Sequence, residues 1–183
     1  MATTLKGPKA GVAKRSPVEH IAPVRRPQPA SVRPSRGDVI RVFDFVSLYQ
    51  AAPIERIEQI KRGVGARQVF ALAEQLDTTQ DRLMQHLGLP RATMVRKSRA
   101  RQNLSTEQAE RVVGLAKIIG QVQTMVQESG NPEGFVAAHW VGQWLERPNS
   151  ALGGRRPADL MDTVAGQELV GGVLAKMQSG AYA

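Results

Sequence analysis

The stretch QDRLMQHLGLPRATMVRKSRARQ, residues 80–102, decides how this chain is built. Leu83, His86 and Leu87 fall on one helical face ahead of a GLP triplet, and Gly88 is placed to end that helix in a left-handed conformation. Two short amphipathic helices joined by so tight a turn describe a helix-turn-helix unit, whose second helix can enter the major groove of DNA. Between Pro90 and Ser105 the chain carries Arg91, Arg96, Lys97, Arg99 and Arg101 and no acid, a composition drawn to phosphate. Arg91 and Thr93, early in the second helix, are candidates for base edges or nearby phosphates. Arg96, Lys97, Arg99 and Arg101 are candidates for backbone contacts. The plainer alternative is a solvated basic face on a structural helix. Two residues depart from the usual pattern: Met84 stands where a small alanine is common, and Lys97 falls near a position that is often apolar.

Outward from this unit the signals are helical. PIERIEQIKRG (53–63) opens with proline, repeats isoleucine at 54, 57 and 60, and closes at Gly63. In ARQVFALAEQL (66–76) Val69, Leu72, Ala73 and Leu76 share a face. Ser105 with Gln108 forms a capping box that starts an amphipathic helix running to about Glu128. Asn131 and Pro132 then supply a cap and a first helical residue for a helix carrying Ala137, Trp140, Val141, Trp144 and Leu145 on one stripe. Pro148 and Asn149 end it, Gly153 and Gly154 turn the chain, and Pro157 opens the short helix PADLMDT. A last helix places Leu169, Val170, Val173, Leu174 and Met177 at helical spacing and stops at Gly180. Upstream, DVIRVFDFVSLYQ (38–50) is too densely apolar for its period to separate helix from strand; we read it as a helix ending before Pro53.

The 183 residues have room for one ordinary domain, or two small helical ones and a tail. Aromatics are 4% of the chain, so aliphatic side chains must build the core, which disfavours an all-β sandwich. Absence of cysteine excludes disulfides, thiolate nucleophiles and cysteine-ligated zinc. No apolar run approaches the roughly 20 residues a bilayer demands, and we expect a cytoplasmic protein with no membrane partner. The net charge of +9 is uneven: residues 1–37 hold eight Lys or Arg against Glu19 alone, with six of the eleven prolines and no aromatic. That composition predicts a disordered basic arm, serving either to follow a nucleic-acid backbone or merely to solubilise. The expected organisation is all-α: an arm (1–37), a central helix-turn-helix domain (38–129) and a small helical C-terminal domain (130–183).

Catalysis finds little support. His20, His86 and His139 lie too far apart for a helical metal pair. Asp159 and Asp162 read as first-turn acids favoured by a helix dipole rather than as an acid-base pair. ALGGRRP lacks the Gly-Lys-Ser/Thr ending of a P-loop. We expect no enzyme, no metal and no cofactor.

One block has uncommon elements at fixed spacing: Trp144-Leu145, Pro148-Asn149, Ala151 to Gly154, Pro157, and Asp159 to Thr163. It resembles the C-terminal toxin-binding domain of the Xre/MbcA/ParS antitoxin family over roughly residues 131–183. GLPRATMVRKSRARQNLSTEQAERVVGLA (88–116) is similar to the family's Xre-like helix-turn-helix domain through its GLP-R-x-T and LS-x-x-x-x-x-R segments. The resemblance implies the antitoxin of a RES-Xre type II toxin-antitoxin pair. Its partner would be a RES-domain toxin resembling ADP-ribosyltransferases and acting on NAD. The antitoxin would obstruct the toxin's active site with C-terminal segments, repress its own operon by binding operator DNA, and form a homodimer. On this reading Arg155 and Arg156 project from the Gly-Gly loop toward acidic groups, and the tail of Gly180, Tyr182 and Ala183 enters a pocket. Trp144, Asn149 and Lys176 complete the toxin-binding candidates, although Trp140 and Trp144 also suit a core. The alternative is a stand-alone helix-turn-helix regulator whose C-terminal domain dimerises or senses a ligand.

Overall fold

A 23-residue helix, α6 (Thr106–Glu128), is the strut on which the described chain packs. The computed structural model describes residues 1–4, 7, 44–130 and 132–180. The predicted arm, apart from residues 1–4 and 7, the stretch 38–43, the Asn131 cap and the tail residues Tyr182 and Ala183 lie outside the described residues. From Asp44 onward the chain belongs to one compact unit. Its elements are α1 (Phe45–Gln50), α2 (Pro53–Arg62), α3 (Ala66–Gln75), α4 (Gln80–His86), α5 (Arg91–Arg99), α6, α7 (Ala137–Leu145) and α8 (Val164–Gln178). Two 3-10 turns, Ser150–Leu152 and Pro157–Leu160, separate α7 from α8. No strand occurs among the described residues, so the all-α expectation holds there.

Sequence punctuation explains most helix ends. Ser105 Oγ accepts from the Gln108 amide while Gln108 Oε1 accepts from the Ser105 amide, the reciprocal box expected at the start of α6. Thr79 and Thr163 cap α4 and α8 through their hydroxyls. Gly88 has φ +57 at the end of the α4 segment, as its position in GLP predicts.

The start of α7 differs from expectation. The helix begins at Ala137, not Pro132, because Pro132 to Phe135 form a turn closed by the Phe135 amide on the Pro132 carbonyl. Gly134 occupies a left-handed conformation (φ +72) that a right-handed helix cannot pass through.

Helix α6 is buried on most of its sides. Val112, Ala116 and Ile119 are fully buried, and α1, α2, α7 and α8 all pack against this one helix. Two polar links tie α8 to it, and a third ties α8 to the segment before it. Gln167 Nε2 donates to the Arg111 carbonyl at 2.9 Å and to the Met161 carbonyl at 2.8 Å, and Gln121 Nε2 donates to the Gly171 carbonyl at 3.0 Å. Burying these amides is tolerable because each finds a carbonyl. On α8 the buried face is Val170, Val173 and Leu174, whereas Leu169 (53% exposed) and Met177 (40%) point outward. The α2 isoleucines divide likewise: Ile60 packs on the core while Ile54 and Ile57 stay exposed.

Candidate functional site

Helix α5 is held by Met94, which is fully buried. At about 100° per residue, Ala92, Arg96 and Arg99 lie opposite that anchor, so the helix turns basic groups and methyls outward together. Arg96 and Arg99 are exposed, as is Arg101 just beyond the helix at φ +52. Arg91 is exposed but paired, its guanidinium 2.8 Å from Asp81 on the first turn of α4. Thr93 is half-buried. Lys97 is half-buried too, and its Nζ donates to Gln108 Oε1 at 3.1 Å. Its ammonium thus reaches the cap of α6 while its stem lies along the helix junction, which is how a lysine occupies a position that is often apolar. Arg67, which the sequence reading did not single out, donates from Nε to the Ser98 carbonyl and steadies the end of α5.

The Gly-Gly loop is organised by Asn149. Its Oδ1 accepts from the Ala151 amide at 2.9 Å, its carbonyl accepts from Leu152 and Gly154, and its own amide donates to the Arg155 carbonyl. Gly153 (φ +65) and Gly154 (φ +80) both need left-handed backbone, which glycine alone adopts without strain. The result is a fixed loop from which Arg155 extends, exposed and without an ion pair to any described residue. Trp144 is 8% exposed and stacks on Trp140 with centroids 5.7 Å apart, so its ring belongs to the core. Lys176 is exposed on the last turn of α8, and Gly180 follows with φ +69.

Arg156 behaves differently from its neighbour. It pairs with Asp159 at 2.6 Å and with Glu146 at 3.2 Å. Glu146 also lies 3.2 Å from His86 Nε2 and 3.5 Å from Arg82 Nε, both on α4. This cluster, spread over residues 82–159, links the first helix of the helix-turn-helix to the Gly-Gly loop; no spacing rule in the sequence announces it. A second link comes from Arg111 on α6, whose Nη1 donates to the carbonyls of Gly88 and Asp162. No metal-binding cluster of His, Cys, Asp and Glu occurs among the described residues, and no helix among them is long and apolar enough to cross a membrane.

The Arg156 hydrogen bond holds the Asp159 carboxyl below its usual range. Burial pushes the His86 imidazole below its ordinary 6.5, against the opposing pull of Glu146 and with the help of Arg156 and Arg82. The folded protein therefore favours neutral His86, and the unfolded chain takes up the proton first as pH falls. The stability this contributes is complete above pH 6.5 and declines below it as pH approaches the lower folded value. Urea midpoints measured between about pH 7.5 and 5 should fall toward acid, and His86→Gln should flatten that fall. An unchanged slope in the variant would assign the acid sensitivity elsewhere.

Residues 55–117, which end midway along α6, match the antitoxin Xre-like helix-turn-helix domain. Residues 134–180, spanning α7, the Gly-Gly loop, both 3-10 turns and α8, match the antitoxin Xre/MbcA/ParS C-terminal toxin-binding domain. A curated relative from Sphingobium sp. (strain YBL2), named Prs ADP-ribosylating antitoxin, is 44% identical over 151 residues, which are 82% of this chain and 95% of the relative. The chain belongs to the Xre/MbcA/ParS antitoxin family. This is a family of antitoxins and not of enzymes. In this antitoxin the DNA-binding type of module and the toxin-binding module are both seated on α6, and the Arg156–Glu146–His86 cluster lies where the two meet.

Proposed function

We propose that this antitoxin neutralises a RES-domain toxin that acts on NAD, obstructing its active site with C-terminal segments, and that as a cytoplasmic homodimer it represses its own operon through α5. The observation that carries the reading is the toxin-binding match over residues 134–180, on whose surface Arg155 and Lys176 stand exposed. The ADP-ribosylating antitoxin among its relatives supports NAD as the toxin's substrate. Arg155 on its rigid loop suits a carboxylate of the toxin, because a guanidinium fork binds such a group bidentately at little cost in ordering. Leu169 and Met177, exposed on α8, supply apolar contact area elsewhere on the same domain. The tail Gly180, Tyr182 and Ala183 is assigned to the toxin's pocket, and Asn149 and Trp144 to holding the loop and helix that present the contacts.

The test uses the full chain, because α8 covers part of α6 and truncation would strip the core. Tagged chain is purified from its host, any co-purified protein is released, and NAD loss is followed with and without added antitoxin. The expected result is NAD consumption that the full chain suppresses, with Arg155→Glu weakening suppression about tenfold or more. A captured protein that leaves NAD untouched would overturn the NAD-acting toxin, and a chain that retains DNA and no protein would replace this reading with that of a stand-alone regulator.

A further inference from the structure

The outward face of α5 is not uniformly basic. Arg91, Arg96 and Arg99 surround a shallow depression floored by Ala92, Val95 and Ala100. Ala92 and Ala100 are exposed and Val95 half-buried, so these methyls are not consumed by packing against the core, which α5 meets through Met94. The α5 helix has no acid in it.

Arginines select an anionic surface, and methyls between them select an apolar spot within that surface. Duplex DNA presents that combination in its major groove, where phosphates line the walls and the 5-methyl of thymine is the apolar group on a base edge. An acidic protein surface would meet the arginines but leave the methyls facing carboxylates.

We propose that Ala92 and Val95 read thymine methyl groups in the major groove, so that this antitoxin's site preference depends on 5-methyls as well as on arginine contacts. The inference rests on the DNA-binding reading. In docked geometry Val95 and Ala92 lie one helical turn apart along the groove-facing side and contact neighbouring base pairs, while Arg96 and Arg99 reach the flanking phosphates. Removing one thymine methyl takes away contact worth about one buried methyl group, or about fourfold in affinity.

The experiment selects preferred duplexes for the full chain from a random pool, then replaces each thymine in the selected site by deoxyuridine, which deletes the methyl and keeps every hydrogen-bonding group. Wild-type protein should lose about fourfold at one or two positions. Val95→Ala should become indifferent at one of them, the coupling expected of a direct contact. Val95 is only half-buried and alanine is a better helix former, so the variant's fold is checked by circular dichroism. Sequence-preferring binding that ignores every deoxyuridine overturns the inference and leaves the DNA reading standing. A deoxyuridine effect that persists undiminished in Val95→Ala also overturns it. Selection that yields no preferred duplex and no salt-sensitive binding removes the DNA reading itself, and the inference with it.

Discussion

Replacing Arg96 and Arg99 together by alanine is expected to weaken binding to duplex DNA by at least about tenfold near 0.1 M salt and to reduce the slope of log affinity against log salt by roughly one unit per arginine. Both guanidiniums are exposed opposite the Met94 anchor, so their loss removes charge without touching the core. Lys97→Ala is the informative contrast. Its ammonium is bound to Gln108 at the cap of α6, so its removal should leave the salt slope near that of wild type and instead lower stability. Gel-shift titrations at four or more salt concentrations separate the two outcomes. A double variant with the wild-type slope would return α5 to the status of a structural helix with a solvated basic face.

A large stability effect is expected at Gly142, in the middle of α7. A Cβ placed there would fall 2.2 Å from the Leu76 carbonyl oxygen and 3.2 Å from its carbon, both backbone atoms that no rotamer change can move aside. The end of α3 and α7 approach each other directly at this point. Gly142→Ala gains up to about 1 kcal/mol in helix propensity but must force the two backbones apart, and overpacking of this type costs about 1–3 kcal/mol or more. Gly142→Val enlarges the clash and loses the propensity gain, so its urea midpoint should be lowest of the series. Gly172→Ala serves as the reference: its Cβ meets no atom within 4 Å, and the substitution should stabilise by roughly 0.5–1 kcal/mol. If Gly142→Ala proves as stable as Gly172→Ala, the close approach of α7 to Leu76 is wrong.

Where caps and breakers act locally, the sequence was readable. Ser105 with Gln108, Gly88 in its triplet, and the Gly153-Gly154 turn all do what their residue types dictate. Faces were less readable than helices. Leu169, Val170, Val173, Leu174 and Met177 fit one helical repeat, yet two overlapping stripes run through them, and α6 covers only the one containing Val170 and Leu174. Gly134 was the missed signal for the late start of α7, since an asparagine-proline pair reads as a helix start unless the glycine behind it turns left-handed. Lys97 was visible as a departure from pattern, but its partner Gln108 belongs to the next helix. The Arg82–His86–Glu146–Arg156 cluster could not be read at all, because its members come from α4 and from a segment some sixty residues later, and only the folded chain brings them within ion-pair distance.

The long helix α6 makes the two modules one mechanical unit. Its first half completes the helix-turn-helix match, while Arg111, Gln121 and the gap over Gly114, where a Cβ would strike Gln167, fit it to the segments after residue 160. A crossover at residue 130 would divide the Arg111 and Gln121 contacts, and one ahead of Ser105 would divide the Lys97–Gln108 contact instead, so exchange of the C-terminal module at either point cuts into the packing of α6. In this antitoxin the two modules are not two beads on a string, and a change of toxin partner has to be accommodated by the helix beneath the DNA-binding type of module as well.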